Sequence, residues 1–175
     1  DVAFVSAIFD ALSEDAVFDL RYSFGVGVSN GAGLVNRIGK ETNLLLGIAP
    51  LISQQTTYLG TIVPPRTLSV FQVNGSEDDL VPVEGGNGVA GTMFMSAKDS
   101  AENWASFFEC QPAPVSDQFI WGDQPVLRFS FEGCRDDVSV QYFIVEGAEH
   151  TINFGSNFSV HQEAWSFLSR DLLME

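Results

Sequence analysis

The sequence predicts an α/β protein with a mainly parallel sheet that is covered by helices on both faces. The first observation is a series of short, continuously apolar runs, which are typical of strands buried on both faces of a parallel sheet. The second is that segments with apolar residues at helical spacing separate most of these runs. The third is that the 175 residues contain neither an internal repeat nor a low-complexity segment, which favours a single domain over residues 1–175.

The first half of the chain is predicted to alternate between helices and strands. Residues 1–12 form a helix in which five apolar residues share one face: Val2, Val5, Ile8, Phe9 and Leu12. The run YSFGVGV predicts a strand at 22–28, and the chain then reopens as a helix over 30–40. Two further apolar runs, LLLGIA at 44–49 and TLSVFQV at 67–73, predict the next two strands.

The second half is predicted to contain two helices, a hairpin and one more buried strand. A helix through 90–108 would turn one apolar side inward: Met93, Ala97, Ala101, Trp104 and Phe108. Residues 118–121 and 126–132 flank a Gly-Asp turn, and the alternation in the second arm predicts a hairpin with one wet face. The run at 138–145 predicts the last strand. The helix predicted over 159–173 would direct five residues inward: Val160, Ala164, Phe167, Leu168 and Leu172.

The composition argues against several classes of function. Hydrophobic residues make up 45% of the chain, which is enough for a substantial buried core. The formal net charge of −15 repels phosphate backbones and anionic lipid headgroups, so neither nucleic acid nor a membrane is an expected partner. The chain contains no run of about 18 apolar residues, so the sequence predicts no membrane span. The two cysteines belong to no CxxC or Cys/His cluster, so no metal site is expected.

The strongest motif is GVSNG at residues 27–31, a G-x-S-x-G between a predicted strand and a predicted helix. A sharp strand-to-helix turn lifts the serine hydroxyl above the sheet, and small residues on each side let strand and helix approach closely. The start of the helix then directs backbone N–H groups, including that of Asn30, toward an oxyanion formed there. The motif predicts Ser29 as a nucleophile, and the alternative is a glycine turn with a structural role.

A serine nucleophile needs a base, and the chain has two histidines. His150 follows the strand predicted at 138–145, and open α/β sheets carry their reactive groups in loops at the carboxyl ends of strands. His161 lies near the start of the last predicted helix, where a solvated or packing role is expected. His150 is therefore the predicted general base.

The third group must orient the imidazole and offset its positive charge. Three adjacent acids follow the strand predicted at 67–73: Glu77, Asp78 and Asp79. They stand between the serine and the histidine, in the order that α/β-hydrolases use. Spacing alone does not choose among the three, and an acidic loop exposed to solvent is the alternative interpretation.

Four phrases in order along the chain carry a resemblance to a known family: GVSNGAG, IAPL, NGSEDDLVPVEGG and VEGAEHT. They resemble the secreted polyhydroxybutyrate depolymerase and feruloyl esterase group of carbohydrate esterase family 1, over nearly the whole chain. Matched position by position, the resemblance implies Ser29 as the nucleophile, Asp78 rather than Asp79 as the acid, and His150 as the base. It also implies a partial α/β-hydrolase fold and an enzyme that needs no cofactor. The implied substrate is an ester of a polyester or of a cell-wall polysaccharide.

The resemblance further implies a disulfide between Cys110 and Cys134. The family tends to pair a cysteine after the long helix with one just before the last strand, and these two positions match. The bond would tie the predicted hairpin to the end of the long helix. Disulfides are typical of oxidising compartments, so a secreted protein is expected. Two buried free thiols in a cytosolic protein are the alternative.

Relatives of this family place several strands before the helix that opens this chain, and one of their loops supplies the second oxyanion donor. The chain is therefore expected to be roughly the C-terminal two-thirds of the domain, with the strand before Ser29 bare along one edge. We expect the chain alone to be marginally stable and weakly active. Two hypotheses compete with an esterase: a binding or assembly module without catalysis, and a peptidase or thioesterase on the same scaffold.

Overall fold

A computed structural model describes residues 1–15 and 17–170 of the chain. The described residues contain eight strands, which are β1 (Phe24–Val28), β2 (Gly47–Leu51), β3 (Ser69–Gly75), β4 (Gly86–Asn87), β5 (Met93–Phe94), β6 (Val115–Trp121), β7 (Gln124–Phe131) and β8 (Val140–Val145). They also contain four α-helices, which are α1 (Val2–Ser13), α2 (Asn30–Glu41), α3 (Ala97–Phe107) and α4 (Val160–Leu168).

Six of the strands form one sheet in the order β1-β2-β3-β8-β7-β6. The first four are parallel, whereas β7 runs antiparallel to β8 and β6 runs antiparallel to β7. The prediction of a mainly parallel sheet with helices is confirmed at this level. The predicted hairpin corresponds to β6 and β7, and it extends the main sheet because Val126–Phe131 pair along the whole of β8.

The sheet separates two hydrophobic cores. On one face α2 and α3 pack against the central strands, and Trp104 and Tyr142 are among the buried residues there. On the other face α4 packs against the strand side chains that point away from α2 and α3. The ring centroids of Phe71 in β3 and Phe143 in β8 lie 4.5 Å apart there. Helices therefore cover both faces, which agrees with the continuously apolar strands.

The helix predicted through 90–108 is wrong in its first part. α3 begins only at Ala97, after Ser96, whose side chain caps the helix by accepting a backbone N–H. The residues before it include β4 and β5, which pair with each other, and Gly91 between them has a positive φ of 73°. Met93 is 50% exposed because it lies in β5 rather than on an inward helical face. The later inward positions are buried as predicted: Ala97, Ala101, Trp104 and Phe108.

The other predicted elements agree with the structure to within a few residues. α1 and α2 occupy the two predicted helices, and β1, β2, β3 and β8 begin two or three residues later than predicted. In α1, Val2, Val5 and Phe9 pack against the core, whereas Ile8 is exposed, contrary to the prediction. In α4 the four predicted residues are buried: Val160, Ala164, Phe167 and Leu168. The helix was predicted to run to 173, but α4 ends at Leu168, so the prediction is wrong at residues 169–170. Residues 171–173, with Leu172, lie outside the described residues.

Cys110 and Cys134 form a disulfide, as the resemblance implies. The first follows the end of α3 and the second follows β7, so the bond ties the hairpin to the long helix. Two backbone hydrogen bonds flank it, from Gln111 N to Glu132 O and from Arg135 N to Phe108 O, both 2.8 Å. The bond is compatible with an oxidising compartment.

The strand that precedes Ser29 lies at the edge of the sheet. Among the described residues β1 pairs with β2 alone, so its other edge has no strand beside it, as expected from the sequence. Apolar side chains are exposed beside that edge, with Val26 at 43% and Trp165 of α4 at 56%. The helices in the described part of the chain are all too short or too polar to cross a membrane.

Candidate active site

Ser29 lies on the turn between β1 and α2. Its backbone has φ 54° and ψ −114°, a conformation that residues with a side chain seldom adopt. The neighbouring glycines permit the turn, since a Cβ at Gly27 would lie 2.1 Å from the carbonyl oxygen of Gly31. The N–H of Ser29 donates to the carbonyl of Leu51 at 2.9 Å, which fixes the turn to β2. The G-x-S-x-G sequence therefore forms a strained strand-to-helix turn.

His150 lies in the loop after β8 and contacts both other predicted triad members. Its Nε2 is 2.7 Å from Oγ of Ser29, and its Nδ1 is 2.7 Å from Oδ2 of Asp78. An ionised carboxylate only accepts hydrogen bonds, so Nδ1 carries the proton and Nε2 remains free to accept from the serine hydroxyl. The three side chains form one continuous chain of hydrogen bonds.

Asp78 lies in the turn after β3, where its carboxylate is fixed at both oxygens. Oδ1 accepts the backbone N–H groups of Leu80 and Val81, each at 2.9 Å, and Oδ2 faces the imidazole. Only 1% of the Asp78 side chain is exposed. Backbone hydrogen bonds to one oxygen hold the other in the direction that His150 requires.

The structure shows which of the three adjacent acids contacts His150, a choice that spacing alone left open. Glu77 and Asp79 are exposed, and only Asp78 of the three adjacent acids contacts His150. His161 is exposed on α4, so it is the solvated histidine that the sequence indicates. Ser29, Asp78 and His150 are therefore the serine, acid and histidine that the fold brings together.

The loops that carry Asp78 and His150 are tied directly to each other. The N–H of Glu77 donates to the carbonyl of Ala148 at 2.9 Å, and the N–H of Gly147 donates to Oγ of Ser76 at 2.8 Å. Gly75 makes this approach possible, because a Cβ there would lie 2.3 Å from the Ala148 carbonyl oxygen. Asp78 and His150 thus share one hydrogen-bonded support at the ends of two adjacent strands.

The three side chains are not equally exposed. Asp78 is buried, 19% of the His150 side chain is exposed, and Ser29 is half-buried at the end of the chain of hydrogen bonds. The exposed Asn30 follows immediately as the first residue of α2. The first N–H groups of a helix have no partner within it, so this end can donate to an anion that forms on a substrate at Ser29.

A second set of polar residues near the site is not evident from sequence motifs. Gln54, which follows β2, is 1% exposed and hydrogen-bonds to the segment after Asp78. The pattern SQQ directly after a continuously apolar strand is the only signal, and it is typical of any loop. Ile52 in the same segment has a φ of 52°, an unusual value for a β-branched residue.

Cavities in the described part of the chain include two that lie away from the triad. One of about 740 Å³ opens between α4 and the hairpin, lined by Phe119, Trp121 and Phe158 among others. Another cavity, of about 280 Å³, lies beside Tyr22 and Thr67, at the end of the parallel strands that is opposite to the triad. The described residues contain no group of three or more His, Cys, Asp or Glu side chains that could hold a metal ion.

Comparison with known proteins gives no family for this chain. No family model matches it, and no curated protein matches it. The contacts of Ser29, His150 and Asp78 are therefore the observations from which a function is inferred.

Proposed function

We propose that the chain is a serine hydrolase that cleaves carboxylic esters through an acyl-serine intermediate. The observation that carries the proposal is the hydrogen-bond chain from Ser29 through His150 to Asp78, with 2.7 Å at each of its two links. A hydroxyl hydrogen-bonded to an imidazole, which is itself oriented by a carboxylate, is the arrangement that activates a serine for attack.

In the first half of the reaction Ser29 Oγ attacks the ester carbonyl carbon while its proton passes to Nε2 of His150. The imidazolium that forms is stabilised by the Asp78 carboxylate at Nδ1. The bond between the carbonyl carbon and the alkoxy oxygen then breaks, and Nε2 gives its proton to the departing alcohol. The acyl group remains on Oγ.

In the second half a water molecule attacks the acyl carbon and gives its proton to Nε2. The bond to Oγ breaks, the acid leaves, and the proton returns to the serine oxygen. The N–H of Asn30, the first residue of α2, is the proposed donor to the oxyanion in both halves. All of these steps use side chains and backbone of the chain itself, so the proposal requires no cofactor.

We propose the α/β-hydrolase fold and kinship with the depolymerase and feruloyl esterase group on the same grounds. The serine, acid and histidine follow β1, β3 and β8 in the order that this fold uses. The resemblance of the motifs suggests a polyester, or a feruloyl or acetyl ester of a cell-wall polysaccharide, as the substrate. A secreted protein is proposed with it, and the disulfide is compatible with that location.

A binding or assembly module with little catalysis is the second candidate. Among the described residues, one edge of β1 has no strand beside it, and this edge and the exposed apolar side chains near it favour this function. An edge of this kind can pair with another strand. The two candidates differ in one property, since only a hydrolase requires an activated Ser29.

A fluorophosphonate probe tests that property, because it reacts with a serine only when a base removes the hydroxyl proton. We expect the 175-residue chain to be labelled at Ser29, as located by mass spectrometry of the digested protein. His150→Ala should abolish labelling by removing the base, and His161→Ala is the matched control that should retain it. Far-ultraviolet circular dichroism would verify that each variant is folded.

Two outcomes would contradict the proposal. The folded wild-type chain could resist the probe altogether, which would favour the binding module. Alternatively, labelling could persist at an unchanged rate in His150→Ala, which would show that the imidazole does not activate Ser29.

A further inference from the structure

Buried amide side chains form a hydrogen-bonded row beneath the turn that carries Asp78. Gln72 and Asn74 of β3 and Gln54 after β2 are each 1% exposed or less. Nε2 of Gln72 donates to Oδ1 of Asn74 at 3.0 Å, and Nδ2 of Asn74 donates to Oε1 of Gln54 at 2.7 Å. Amides in this position are fixed in orientation because each one uses both its donor and its acceptor.

Gln54 connects this row to two segments that are distant in sequence. Its Nε2 donates to the carbonyl of Pro82 at 2.8 Å and to the carbonyl of Met95 at 2.9 Å. Pro82 belongs to the turn that carries Asp78, and Met95 leads into α3. One side chain therefore holds the end of β2, the turn after β3 and the approach to α3 together.

Gln54 hydrogen-bonds to both ends of the turn after β3. Asn74 precedes Asp78 by four positions and Pro82 follows it by four, and Gln54 bonds to both. Within the turn, the Oδ1 of Asp78 accepts the N–H groups of Leu80 and Val81. A shift of Pro82 would move those N–H groups and with them the direction of the carboxylate.

We infer that Gln54, oriented by Asn74, is a positioning residue that aims the Asp78 carboxylate at His150. The inference rests on the proposed function, since it assigns Gln54 a role in the same site. Gln54 acts through the backbone of the turn and has no contact with the reacting atoms. Neutral amides suit this role, because their hydrogen bonds do not change as pH changes across the range in which a histidine titrates.

The adjacent Gln55 provides a matched control. It is fully buried (0% exposed), and its Nε2 donates to the carbonyl and to Oγ of Ser100 on α3. In the described part of the chain, its side chain hydrogen-bonds to no residue of the turn after β3, although it is as deeply buried as Gln54. Gln55→Met therefore removes an equally buried amide while leaving the bond to Pro82 in place.

The experiment compares Gln54→Met with Gln55→Met in the 175-residue chain. The rate of fluorophosphonate labelling is measured across pH about 5 to 8, where histidine titrates. We expect Gln54→Met to label about 10- to 100-fold more slowly than wild type, because a misplaced carboxylate no longer orients the imidazole. We also expect its pH midpoint to move downward, because the imidazolium loses part of its stabilisation. Gln55→Met should retain both the rate and the midpoint.

A second readout does not depend on labelling. The proton on Nδ1 of His150, held against Asp78, should give a downfield proton resonance in wild type and in Gln55→Met. In Gln54→Met this resonance should broaden or disappear, because a loose turn lets the proton exchange with water. If Gln54→Met does not fold, Asn74→Ala replaces it, since this variant keeps Gln54 and removes the bond that orients it, together with the bond that Asn74 accepts from Gln72.

The outcomes separate this inference from the proposed function. If wild type is not labelled at all, the proposed function fails and the positioning role fails with it. If wild type is labelled and folded Gln54→Met matches Gln55→Met in rate, pH midpoint and resonance, only the inference is overturned. An unchanged rate and resonance in folded Asn74→Ala would overturn it in the same way.

Discussion

The acid and base of the candidate site have a different support from the nucleophile. Asp78 and His150 follow β3 and β8, which are interior strands with a neighbour on each side. Ser29 follows β1, which lies at the edge and is fixed to β2 alone among the described residues. The comparison indicates that the acid–base pair is rigid by virtue of the sheet, whereas the position of the nucleophile depends on a single turn and one neighbouring strand.

The two regions also differ in how their polar groups are satisfied. Around Asp78 and His150, buried amides and cross-loop backbone bonds hold the segments together. Around Ser29, glycines permit a strained turn, and apolar side chains such as Val26 are exposed beside it. A substitution around Asp78 and His150 should therefore lower the reaction rate, because the packed segments there cannot move to accommodate it. A substitution in β1 should be accommodated more easily, because among the described residues this strand has a neighbour on one side only.

The largest effect is expected when the interior acid loses its charge. Asp78→Asn keeps the shape of the side chain but lets it donate to His150, which favours the wrong imidazole tautomer. In serine triads this loss lowers the rate by about 10⁴-fold. Labelling by the fluorophosphonate probe, or hydrolysis of a soluble aryl ester, measures it.

Asp79→Asn is the control for this variant, since Asp79 is the exposed neighbour without a contact to His150. Its rate should equal that of wild type within about twofold, because exposed charges are well screened. Equal losses in the two variants would contradict the assignment of the acid, since they would mean that the net charge of the loop matters rather than the carboxylate at His150.

The assignment of that acid shows how far a sequence can specify a site. The turn at Ser29 could be predicted because G-x-S-x-G between a strand and a helix has a local steric cause. The choice among three adjacent acids could not, because Asp78 is selected by backbone N–H groups of its own turn and by a loop from β8. The resemblance to a family implied Asp78, the acid that contacts His150, whereas spacing alone left the choice open.

Tertiary pairing also explains which parts of the fold were predicted. Continuously apolar runs predicted the parallel strands because side chains on both faces of strands such as β2 and β3 are buried. The helix predicted through 90–108 was wrong at its start because the backbone is extended there. Phe94 forms a β-bridge with Thr56, which is distant in sequence, and such a contact cannot be predicted from local spacing. Likewise, the role inferred for Gln54 depends on Pro82 and Met95, neither of which lies near it in sequence.

A pair of glycine substitutions tests the difference in rigidity between the two regions. A Cβ at Gly75 would lie 2.3 Å from the carbonyl oxygen of Ala148, and a Cβ at Gly27 would lie 2.1 Å from that of Gly31. The clashes are similar, but in the described part of the chain β1 has a neighbouring strand on one side only, so it can shift more easily than β3. We expect Gly75→Ala to lower the free energy of unfolding by about 3 kcal/mol, and Gly27→Ala by about 1–2 kcal/mol. Urea denaturation measures both values.

Gly33→Ala in α2 is the reference for these variants. A Cβ at Gly33 meets no atom within 4 Å, and alanine favours a helix over glycine by about 0.5–1 kcal/mol, so this change should stabilise the chain. A larger loss of stability in Gly27→Ala than in Gly75→Ala would mean that the edge strand is held as firmly as the interior strands. The comparison of the two regions would then not hold.

The last effect, on how stability depends on pH, concerns the contact that joins α2 to α3. Lys40 of α2 is 1% exposed, and its Nζ donates to Oδ1 of Asn103 on α3 at 2.7 Å. Its ammonium also lies 4.1 Å from the ring centroid of Trp104 and 4.3 Å from that of Phe107. Burial lowers the pKa of Lys40 from 10.5 to about 7. The two rings and the amide oxygen favour the charged form, so they partly offset this effect of burial.

This lowered pKa makes stability depend on pH with a defined sign. Between the folded pKa of about 7 and the unfolded value of 10.5, the unfolded chain binds more protons at Lys40 than the folded chain. The free energy of unfolding should therefore rise with pH across that window, and the contribution of Lys40 is fully lost below it. Burial alone, with a pKa of about 7, would give a rise of about 5 kcal/mol. We expect a smaller rise of about 2 kcal/mol, because the two rings and the amide oxygen stabilise the cation. Urea denaturation at a series of pH values measures it.

Lys40→Met should remove the rise, and Lys98→Met is the control, because Lys98 is an exposed lysine on α3 that pairs with Glu102. Burial raises the pKa of Tyr142 to about 12, and a nearby Glu102 adds to the shift, so its contribution has the opposite sign and begins only above 10.0. A rise that persists in Lys40→Met would assign the pH dependence to other groups. A fall with increasing pH in the wild type, absent in Lys40→Met, would mean that the aromatic rings outweigh burial and that the folded chain stabilises the charged lysine.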